Sequence, residues 1–479
     1  MERPYLRLLS EDNLKSIHNA SLRILEETGM LIDHREGRER LEAAGAKVDH
    51  DEKMVKFPPG LVEDKLKLAP RKLVYHGRTP EYDFTLEQGG DIYTRTAGGA
   101  IAYIDLKTGE HRRARLDDWR EFVKLAEALP NIHCVSGFYC GDAPEKTADI
   151  HSLHIALAHQ RKPVVHNALS LRSYKIMIEM MLAVAGSKEE LQKRPLVRLL
   201  VSPISPLSWS EDDTAQLLLA CEYGIPADIP IVPVSGTTGP ITLAGTLALA
   251  NAEFLGTMVL IQTARPGYAT PYFAIPFVGD MRTGMPLLGS PETGLLIAAL
   301  GQMSQELYGL PGETIGINGD GFIVEQILFQ RAQNVAMSSL SGSKLFVGAG
   351  SLGSAMALSP VQLVIDNEIL EIARRWVRGI TVSEDTLAVK VVKRVGPRGH
   401  FLGDYHTKKH LRTGEKVDTE IFESDQGDTW SLKGQKNLGQ KAREKALAIL
   451  KEHEVEPLPK DILKELRSIV NRADEELAK

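Results

Sequence analysis

Residues 230–264 read PIVPVSGTTGPITLAGTLALANAEFLGTMVLIQTA. The stretch opens with a short, mostly apolar run, 230–236, and passes through a turn rich in Gly and Thr. It then continues as an apolar segment, 243–264, which is long enough for about six helical turns. One β-type run followed by one helix-length run is a strand–helix unit. Because its strand is apolar on both faces, the unit is typical of a parallel sheet that helices cover.

The same unit recurs along the chain on both sides of this stretch. The apolar runs lie near residues 133–138, 163–169, 196–203, 230–236, 268–275, 314–319 and 344–350. The helix-length segments are 146–160, 171–185, 211–222, 243–264, 291–308, 323–340 and 361–376. An eighth strand is predicted near 399–403, and eight such units favour a (β/α)8 barrel. An open doubly wound sheet is the alternative, although the G-x-G-x-x-G motif typical of such sheets is missing.

The flanking segments have a different pattern. Residues 11–29 and 60–68 have the apolar spacing of amphipathic helices, and 73–113 reads as short strands separated by glycine-rich turns. The segment from 433 onward is charged and helical. The predicted fold class is therefore α/β, a (β/α)8 barrel with an N-terminal helical and β extension and a C-terminal helical extension. The predicted boundaries are 1–116, 117–403 and 404–479.

Composition excludes several classes of protein. The 479 residues carry 57 Lys and Arg against 63 Asp and Glu, a net charge of −6, which argues against a nucleic-acid-binding surface. Three cysteines cannot form a disulfide framework, and the first residues lack the pattern of a signal peptide. Asn251, Glu253 and Gln262 make the apolar segment 243–264 costly in a bilayer. We expect a reduced, soluble, cytoplasmic protein without a membrane partner.

In a barrel, the reacting groups lie at the carboxyl ends of the strands. The residues predicted there are polar or aromatic, with few fixed charges. Aromatic ring faces suit a cation that has no N–H donor, and an arginine suits the carboxylate of a betaine. For each of these residues, a plain structural role is the alternative. The candidate catalytic residues are His166, Asn318 and Asp320. The candidate substrate-binding residues are Tyr93, Arg95, Tyr139, Trp209, Tyr272, Phe273, Arg282, His400 and His406.

No metal site is predicted. His151 and His154 lie three residues apart on one helix, but histidine pairs of this kind are more often structural than ligating. The sequence contains no C-x-x-C pair. We therefore expect that the protein binds no catalytic metal.

Several long segments carry a family likeness. They are PVSGTTGPITLAGTLALANAEFLG (233–256), MRTGMPLLGSPETGLL (281–296), LFVGAGSLGSAMALSPVQLVIDNEIL (345–370) and GHFLGDYHT (399–407). Together with the C-terminal segment, they resemble the trimethylamine methyltransferase superfamily, in its branch without pyrrolysine. The likeness covers nearly the whole chain.

The resemblance implies a barrel that passes a methyl group from a methylamine to the Co(I) corrinoid of a separate partner protein. It implies no tightly bound cofactor in this chain. The trimethylamine enzymes carry pyrrolysine at a position that falls close to Asp320-Gly321 here, where this sequence has none. The family's quaternary-amine members are therefore favoured, with glycine betaine, carnitine or proline betaine as substrate. Homo-oligomerisation is expected from the family and from the long apolar helices.

Two other functions stay open. One is a barrel lyase or aldolase that acts on a small anionic substrate through Lys344. The other is a docking scaffold for the corrinoid protein that performs no catalysis.

Overall fold

The computed structural model describes residues 4–322, 324–425 and 427–477, which form a mixed α/β fold. The helices are Glu11–Arg23, Arg35–Ala43, Pro59–Leu66, Leu116–Ala128, Ala148–His159, Leu171–Ala185, Lys188–Lys193, Glu211–Tyr223, Leu243–Ala264, Pro291–Gln302, Val324–Leu340, Pro360–Arg378, Glu384–Leu387, Val389–Val395, Tyr405–Leu411, Gly427–Leu432, Leu438–Glu452 and Lys460–Leu477. The strands are Met30–Ile32, Lys47–Asp49, Met54–Lys56, Lys72–Tyr75, Phe84–Glu87, Tyr93–Thr96, Ala102–Ile104, His111–Arg113, Val135–Ser136, Val164–His166, Val197–Leu200, Ser208–Trp209, Ala227–Asp228, Val234–Ser235, Phe277–Gly279, Pro286–Leu287, Glu313–Thr314, Leu345–Ala349, Ser351–Leu352 and Ala357–Leu358.

Parallel pairings link eight short segments in a cyclic order. In that order the segments are 93–96, 134–136, 164–166, 197–200, 227–231, 272–274, 312–314 and 345–349, and the last pairs with the first. Three of the links are single bridges, Arg95 to Cys134, Ile231 to Ala274, and Tyr272 to Gly312. Since all eight segments run the same way, their carboxyl ends meet at one end of the sheet.

The predicted eighth strand near 399–403 is wrong. Residues 399–404 contain no strand, 401–404 form turns and bends, and Leu402 is 86% exposed. The remaining place in the cycle is taken by Tyr93–Thr96, which pairs with Leu345–Ala349 on one side and with Cys134 on the other. The division at 116 and 403 stays a prediction. The pairings place one strand of the cycle, Tyr93–Thr96, before residue 116, the first predicted boundary.

Helices follow the strands as predicted, and serine caps set where several of them begin. Ser170, Ser210, Ser290 and Ser359 each accept a hydrogen bond from the backbone N–H three residues later, at 3.1–3.2 Å. Such a cap satisfies one of the N–H groups that the first helical turn leaves unpaired. The caps therefore determine the residue at which each of these helices begins. They thereby set the length of the loop between the carboxyl end of a strand and the next helix. Residue 323, the first of one predicted helix, lies outside the described residues.

Helix Leu243–Ala264 is apolar around its whole circumference. By length and composition alone it would be able to span a membrane, but 89% of its most apolar window is buried inside the protein. The helices Glu11–Arg23 and Pro59–Leu66 pack against it. Its polar residue Asn251 accepts hydrogen bonds from the hydroxyls of Tyr272 and Tyr308. Its composition is therefore that of a core helix.

A hairpin covers the amino ends of the strands. It consists of Lys72–Tyr75 and Phe84–Glu87 in antiparallel register. The rings of Tyr75 and Phe84 stack with centroids 4.7 Å apart, and Phe84 stacks on Tyr93 at 4.5 Å. We call the opposite end of the cycle, formed by the carboxyl ends of the strands, the open end.

Candidate active site

Two buried ion pairs cross the inside of the sheet. Arg95 donates to the carboxylate of Glu313 and, at 3.0 Å, to Ser136 Oγ. Arg198 Nε donates to Asp228 Oδ1 at 2.7 Å, and the Tyr75 hydroxyl donates to the same oxygen at 2.9 Å. Burial raises the pKa of Glu313, and Arg95 opposes that shift. Because these charges are paired and buried, they serve the interior of the fold and leave Arg95 no freedom to bind a substrate carboxylate.

Apolar side chains follow towards the carboxyl ends. Side chains alternate between the two faces of a strand, so residues two positions beyond the ion pairs face inward as well. Phe273, Ile275, Ile315 and Val347 belong to one buried cluster, and Leu200 packs against it. The guanidinium of Arg95 lies 5.6 Å from the centroid of the Phe273 ring. These residues form an apolar layer between the ion pairs and the open end.

Tyr139 and Asn167 lie beside each other at the open end. Tyr139 follows strand Val135–Ser136, and Asn167 follows Val164–His166. The amide of Asn167 donates to the Tyr139 hydroxyl, and both residues are half-buried. The pKa of Tyr139 is raised, mainly by burial. Of the predicted aromatic cage, Tyr139 is the member that the structure places at this end with an exposed surface.

His166 points away from the inside of the sheet. Its Nε2 lies 3.1 Å from Ser152 Oγ on helix Ala148–His159, and its Nδ1 lies 2.7 Å from the carbonyl oxygen of Asn167. The Oγ atom of Ser152 also accepts the N–H of Phe138 at 3.1 Å, and the Ser152 hydroxyl donates its own proton to His166 Nε2. The imidazole proton is therefore on Nδ1, which donates to the carbonyl oxygen of Asn167. Burial lowers the pKa of His166. Its side chain joins a strand to a helix, and its place beneath the substrate stays a prediction that this orientation does not support.

Asp320 holds three loops together. Its carboxylate accepts the N–H groups of Leu288 and Gly289 at 2.8 and 2.9 Å and the hydroxyl of Ser354 at 2.9 Å. Asn318 has a similar role nearby, because its amide donates to the carbonyl oxygen of Val347 at 3.0 Å. Both residues lie after strand Glu313–Thr314, as predicted. Their polar atoms are occupied by the loops that follow neighbouring strands.

The other predicted cage residues are dispersed. Tyr93 lies at the amino end of its strand, stacked on the hairpin. Tyr272 faces outward, where its ring packs 4.4 Å from that of Phe254, and Trp209 donates to Thr257 on the same long helix. Phe273 faces inward but is 98% buried, since only 2% of it is exposed. The structure therefore does not bring Tyr93, Tyr139, Tyr272 and Phe273 together as the predicted cage.

The three remaining candidates are not assembled with the others. Arg282 lies in the loop after Phe277–Gly279, and its side chain is 87% exposed and paired with Asp280. His400 and His406 lie beyond helix Pro360–Arg378. Near that helix's last turn, Arg374 donates to the carbonyl oxygen of Ile92, immediately before a strand, so the helix ends at the amino ends of the strands. His400 and His406 belong to the segment between Arg378 and Gly414, which are joined at this helix end by a hydrogen bond of 3.0 Å, so the structure does not bring them together with the other candidates.

A group that the sequence reasoning missed surrounds the open end. Large apolar side chains, each 41–60% exposed, occur in the loops that follow seven of the eight segments. They are Ile101, Leu169, Ile204, Ile241, Met281, Met285, Phe322 and Met356. We call these residues the apolar rim. Six of the eight follow a predicted strand end, and Ile101 and Leu169 are the exceptions, so an apolar residue in an otherwise polar loop was a signal available in the sequence for most of the rim.

A cavity of about 360 Å³ lies elsewhere, between helices. It is lined by residues that include Arg78, Leu157, Met181, Leu191, Arg194 and Leu458. None of these belongs to a strand-end loop. It is therefore not the site at the open end.

The fold defines the class of protein: an α/β protein whose parallel strands bring their carboxyl ends to one end of the sheet, the place where folds of this class bind small molecules. The model of the family described as "Trimethylamine methyltransferase (MTTB)" matches residues 1–478. The chain belongs to this family of methyltransferases, which confirms the resemblance seen in the sequence.

Individual relatives agree with this family. The chain is 32% identical to the trimethylamine methyltransferase MttB of Desulfitobacterium hafniense (strain DSM 10664 / DCB-2), over 88% of this chain and 85% of the relative. It is 30% identical to a glycine betaine methyltransferase of D. hafniense (strain Y51), over 79% of each chain. The fold is similar to that of the crystal structure of the Methanosarcina barkeri monomethylamine methyltransferase MtmB. The TM-score is 0.52 at 11% identity, covering 92% of this chain and 94% of the other.

Proposed function

We propose that this chain transfers a methyl group from a quaternary amine, with glycine betaine as the first candidate, to the Co(I) corrinoid of a partner protein. The observation that carries the proposal is the set of hydrogen bonds that the Asp320 carboxylate accepts. The resemblance puts the pyrrolysine of the trimethylamine enzymes close to this residue. Here its carboxylate is occupied by Leu288, Gly289 and Ser354, so it offers no adduct to a tertiary amine. A relative that acts on glycine betaine supports the same substrate class.

We interpret the cycle of parallel pairings as a (β/α)8 barrel, and we place the substrate at its open end. A trimethylammonium group has no N–H to donate, so it suits an apolar floor and an aromatic wall. The layer of Phe273, Ile275 and Ile315 supplies the floor, and Tyr139 supplies the wall. Arg282 is our candidate partner for the substrate carboxylate, because its side chain is exposed and, among the described residues, is paired with Asp280 alone.

The proposed methyl transfer needs no general acid or base from the protein. When the methyl carbon passes to cobalt, its bond to nitrogen breaks and both electrons stay on nitrogen, so a neutral tertiary amine leaves. No proton is needed. The protein binds the cation, orients one methyl group and excludes water. A carboxylate in direct contact with the cation would stabilise the charged ground state more than the transition state, and the engagement of Asp320 by its loops avoids that.

The apolar rim supports a partner at the open end. Exposed apolar residues around a site are typical of a protein-binding surface. A corrinoid must approach to within bonding distance of the methyl carbon, so its carrier has to dock around this end. Homo-oligomerisation and a cytoplasmic location stay predictions.

The test is methylation of a Co(I) corrinoid protein, followed by the absorbance change of the cobalt centre. We expect glycine betaine, carnitine or proline betaine to support the reaction, and trimethylamine to fail. Enzyme with Tyr139→Leu and a reaction without the chain are the controls. Turnover of trimethylamine with no turnover of any quaternary amine would refute the substrate class.

The aldolase alternative is not favoured by the position of Lys344. This residue directly precedes strand Leu345–Ala349, so it lies at the amino end, and its ammonium donates to the carbonyl oxygen of Gly90 at 3.2 Å. A Schiff base at the open end cannot form from there. The scaffold alternative predicts that the corrinoid protein binds but is not methylated by any amine in the panel.

A further inference from the structure

Residues 378–420 form a long stretch in which no residue is fully buried. The segment contains three short helices, Glu384–Leu387, Val389–Val395 and Tyr405–Leu411. Isolated helices of this length are not stable in water, and they usually rely on apolar burial. Here the apolar side chains are exposed, as with Leu402 at 86%. Some other interaction has to fasten these helices together.

Three potential ligands meet between the first and third of these helices. His406 and His410 lie one turn apart on Tyr405–Leu411, with ring centroids 4.2 Å apart. His410 Nε2 lies 3.2 Å from the Asp385 carboxylate. One ligand atom from each of the three residues lies within 4.8 Å of the other two. That spacing is small enough for all three to reach one ion.

The surroundings of His410 and Asp385 favour a cation. The nitrogen Nε2 of His410 is inaccessible to solvent, and its 3.2 Å contact with Asp385 is not a hydrogen bond. Among the described residues this nitrogen has no hydrogen-bond partner, which is unfavourable for a buried polar atom unless something else binds it. Lys409 Nζ lies 2.6 Å from the Asp385 carboxylate, but the Lys409 side chain is 42% exposed, so its displacement by a metal ion would leave no buried charge.

We propose that Asp385, His406 and His410 bind one divalent transition-metal ion of the zinc type. Two imidazoles and one carboxylate are ligands that zinc accepts in tetrahedral geometry, with water in the fourth position. The ion fastens helix Glu384–Leu387 to helix Tyr405–Leu411 and replaces the missing apolar core. Its role is structural, since the segment begins at Arg378 and returns to it at Gly414, beside the amino ends of the strands. It is therefore independent of methyl transfer and of the predicted absence of a catalytic metal.

Titration of Zn²⁺ into the chelator-treated full-length chain tests the site. We expect one equivalent to bind. Asp385→Asn and His410→Gln are each expected to weaken binding by more than about tenfold. His400→Gln is the matched control, because it is an exposed histidine of the same segment outside the cluster, and its affinity is expected to equal that of the wild type. Zinc should slow tryptic cleavage of segment 384–412 in the wild type and the control, and not in the two ligand variants.

Binding of Zn²⁺ with the same affinity in Asp385→Asn and in His400→Gln would overturn the proposal, and so would the absence of saturable binding. Asp385 is exposed, so its isosteric variant keeps the test decisive even if His410→Gln fails to fold. Methyl transfer is expected to be independent of the cluster. Loss of zinc binding in a variant that keeps activity therefore supports the proposal and leaves the methyltransferase function standing.

Discussion

Among single residues, Tyr139 and Tyr272 allow the effect of a residue in the proposed substrate site to be distinguished from that of a core residue. Tyr139 is half-buried at the open end, whereas Tyr272 is buried and donates to Asn251. We expect Tyr139→Leu to raise the dissociation constant for glycine betaine by about 2- to 30-fold, from a cation–π contribution of roughly 0.5–2 kcal/mol. Tyr272→Leu should lower the melting temperature and leave the affinity unchanged. Calorimetric titration and thermal unfolding of both variants check this. An unchanged dissociation constant in folded Tyr139→Leu would remove this ring from the site.

Glu253 is a buried carboxyl group, and its titration should change the free energy of unfolding as the pH changes. It accepts the N–H of Leu207 at 2.8 Å and the hydroxyl of Ser205 at 2.7 Å, and burial raises its pKa to about 7. A raised folded-state pKa adds stability that is fully present below the unfolded value of 4.5 and is lost as the pH rises through 7.

We therefore expect the unfolding free energy of the wild type to fall relative to that of Glu253→Gln between about pH 4.5 and pH 8, by up to about 3 kcal/mol. Unfolding of both proteins across this pH range measures the difference. A constant difference would mean that Glu253 does not titrate there.

At the scale of helices and strands, a buried ion pair joins the last two helices of the cycle. Arg331 on Val324–Leu340 donates to Asp366 on Pro360–Arg378 at 2.9 Å, and both side chains are fully buried. Arg331 also donates to the carbonyl oxygens of Ile317 and Ser351, which follow two strand ends. The pair therefore connects two helices to the loops beside Asn318.

Arg331→Met should destabilise the protein by about 3–5 kcal/mol, because it leaves the Asp366 carboxylate buried without its cation. The double variant Arg331→Met/Asp366→Leu should recover part of that loss. Arg35→Met is the control, since it breaks an exposed pair with Glu39 and should change stability by at most about 1 kcal/mol. Denaturant unfolding of the three variants measures these differences. A double variant no more stable than Arg331→Met would show that the loss comes from other contacts of Arg331.

At the scale of the whole molecule, the apolar rim links the site to its proposed partner. Met281 and Phe322 are 56% and 50% exposed, and they follow different strands. We expect Met281→Glu or Phe322→Glu to raise the KM for the corrinoid protein several-fold, because docking would bury a charge, while the dissociation constant for glycine betaine stays unchanged. Leu68→Glu is the control, an exposed apolar residue (42%) outside the strand-end loops. An equal effect of all three substitutions in steady-state kinetics would exclude a specific role of the rim.

The sequence by itself determined the strand–helix alternation, the family and the general position of Tyr139, Asn318 and Asp320 after their strands. These features are local. The length and apolarity of each run predict its element, and the order of the runs predicts which residues follow a strand. The helix 243–264 was predicted with the bounds that the structure has.

Two things depended on the tertiary structure: the strand that completes the cycle and the face to which each side chain points. Tyr93–Thr96 completes the cycle instead of 399–403, because pairing between 93–96 and 345–349 joins segments about 250 residues apart and leaves no local pattern. A strand that is apolar on both faces does not show which residues face inward, and a shift of one residue reverses every side chain. For that reason the sequence did not reveal that His166 and Tyr272, which were predicted at the site, point outward to the helices.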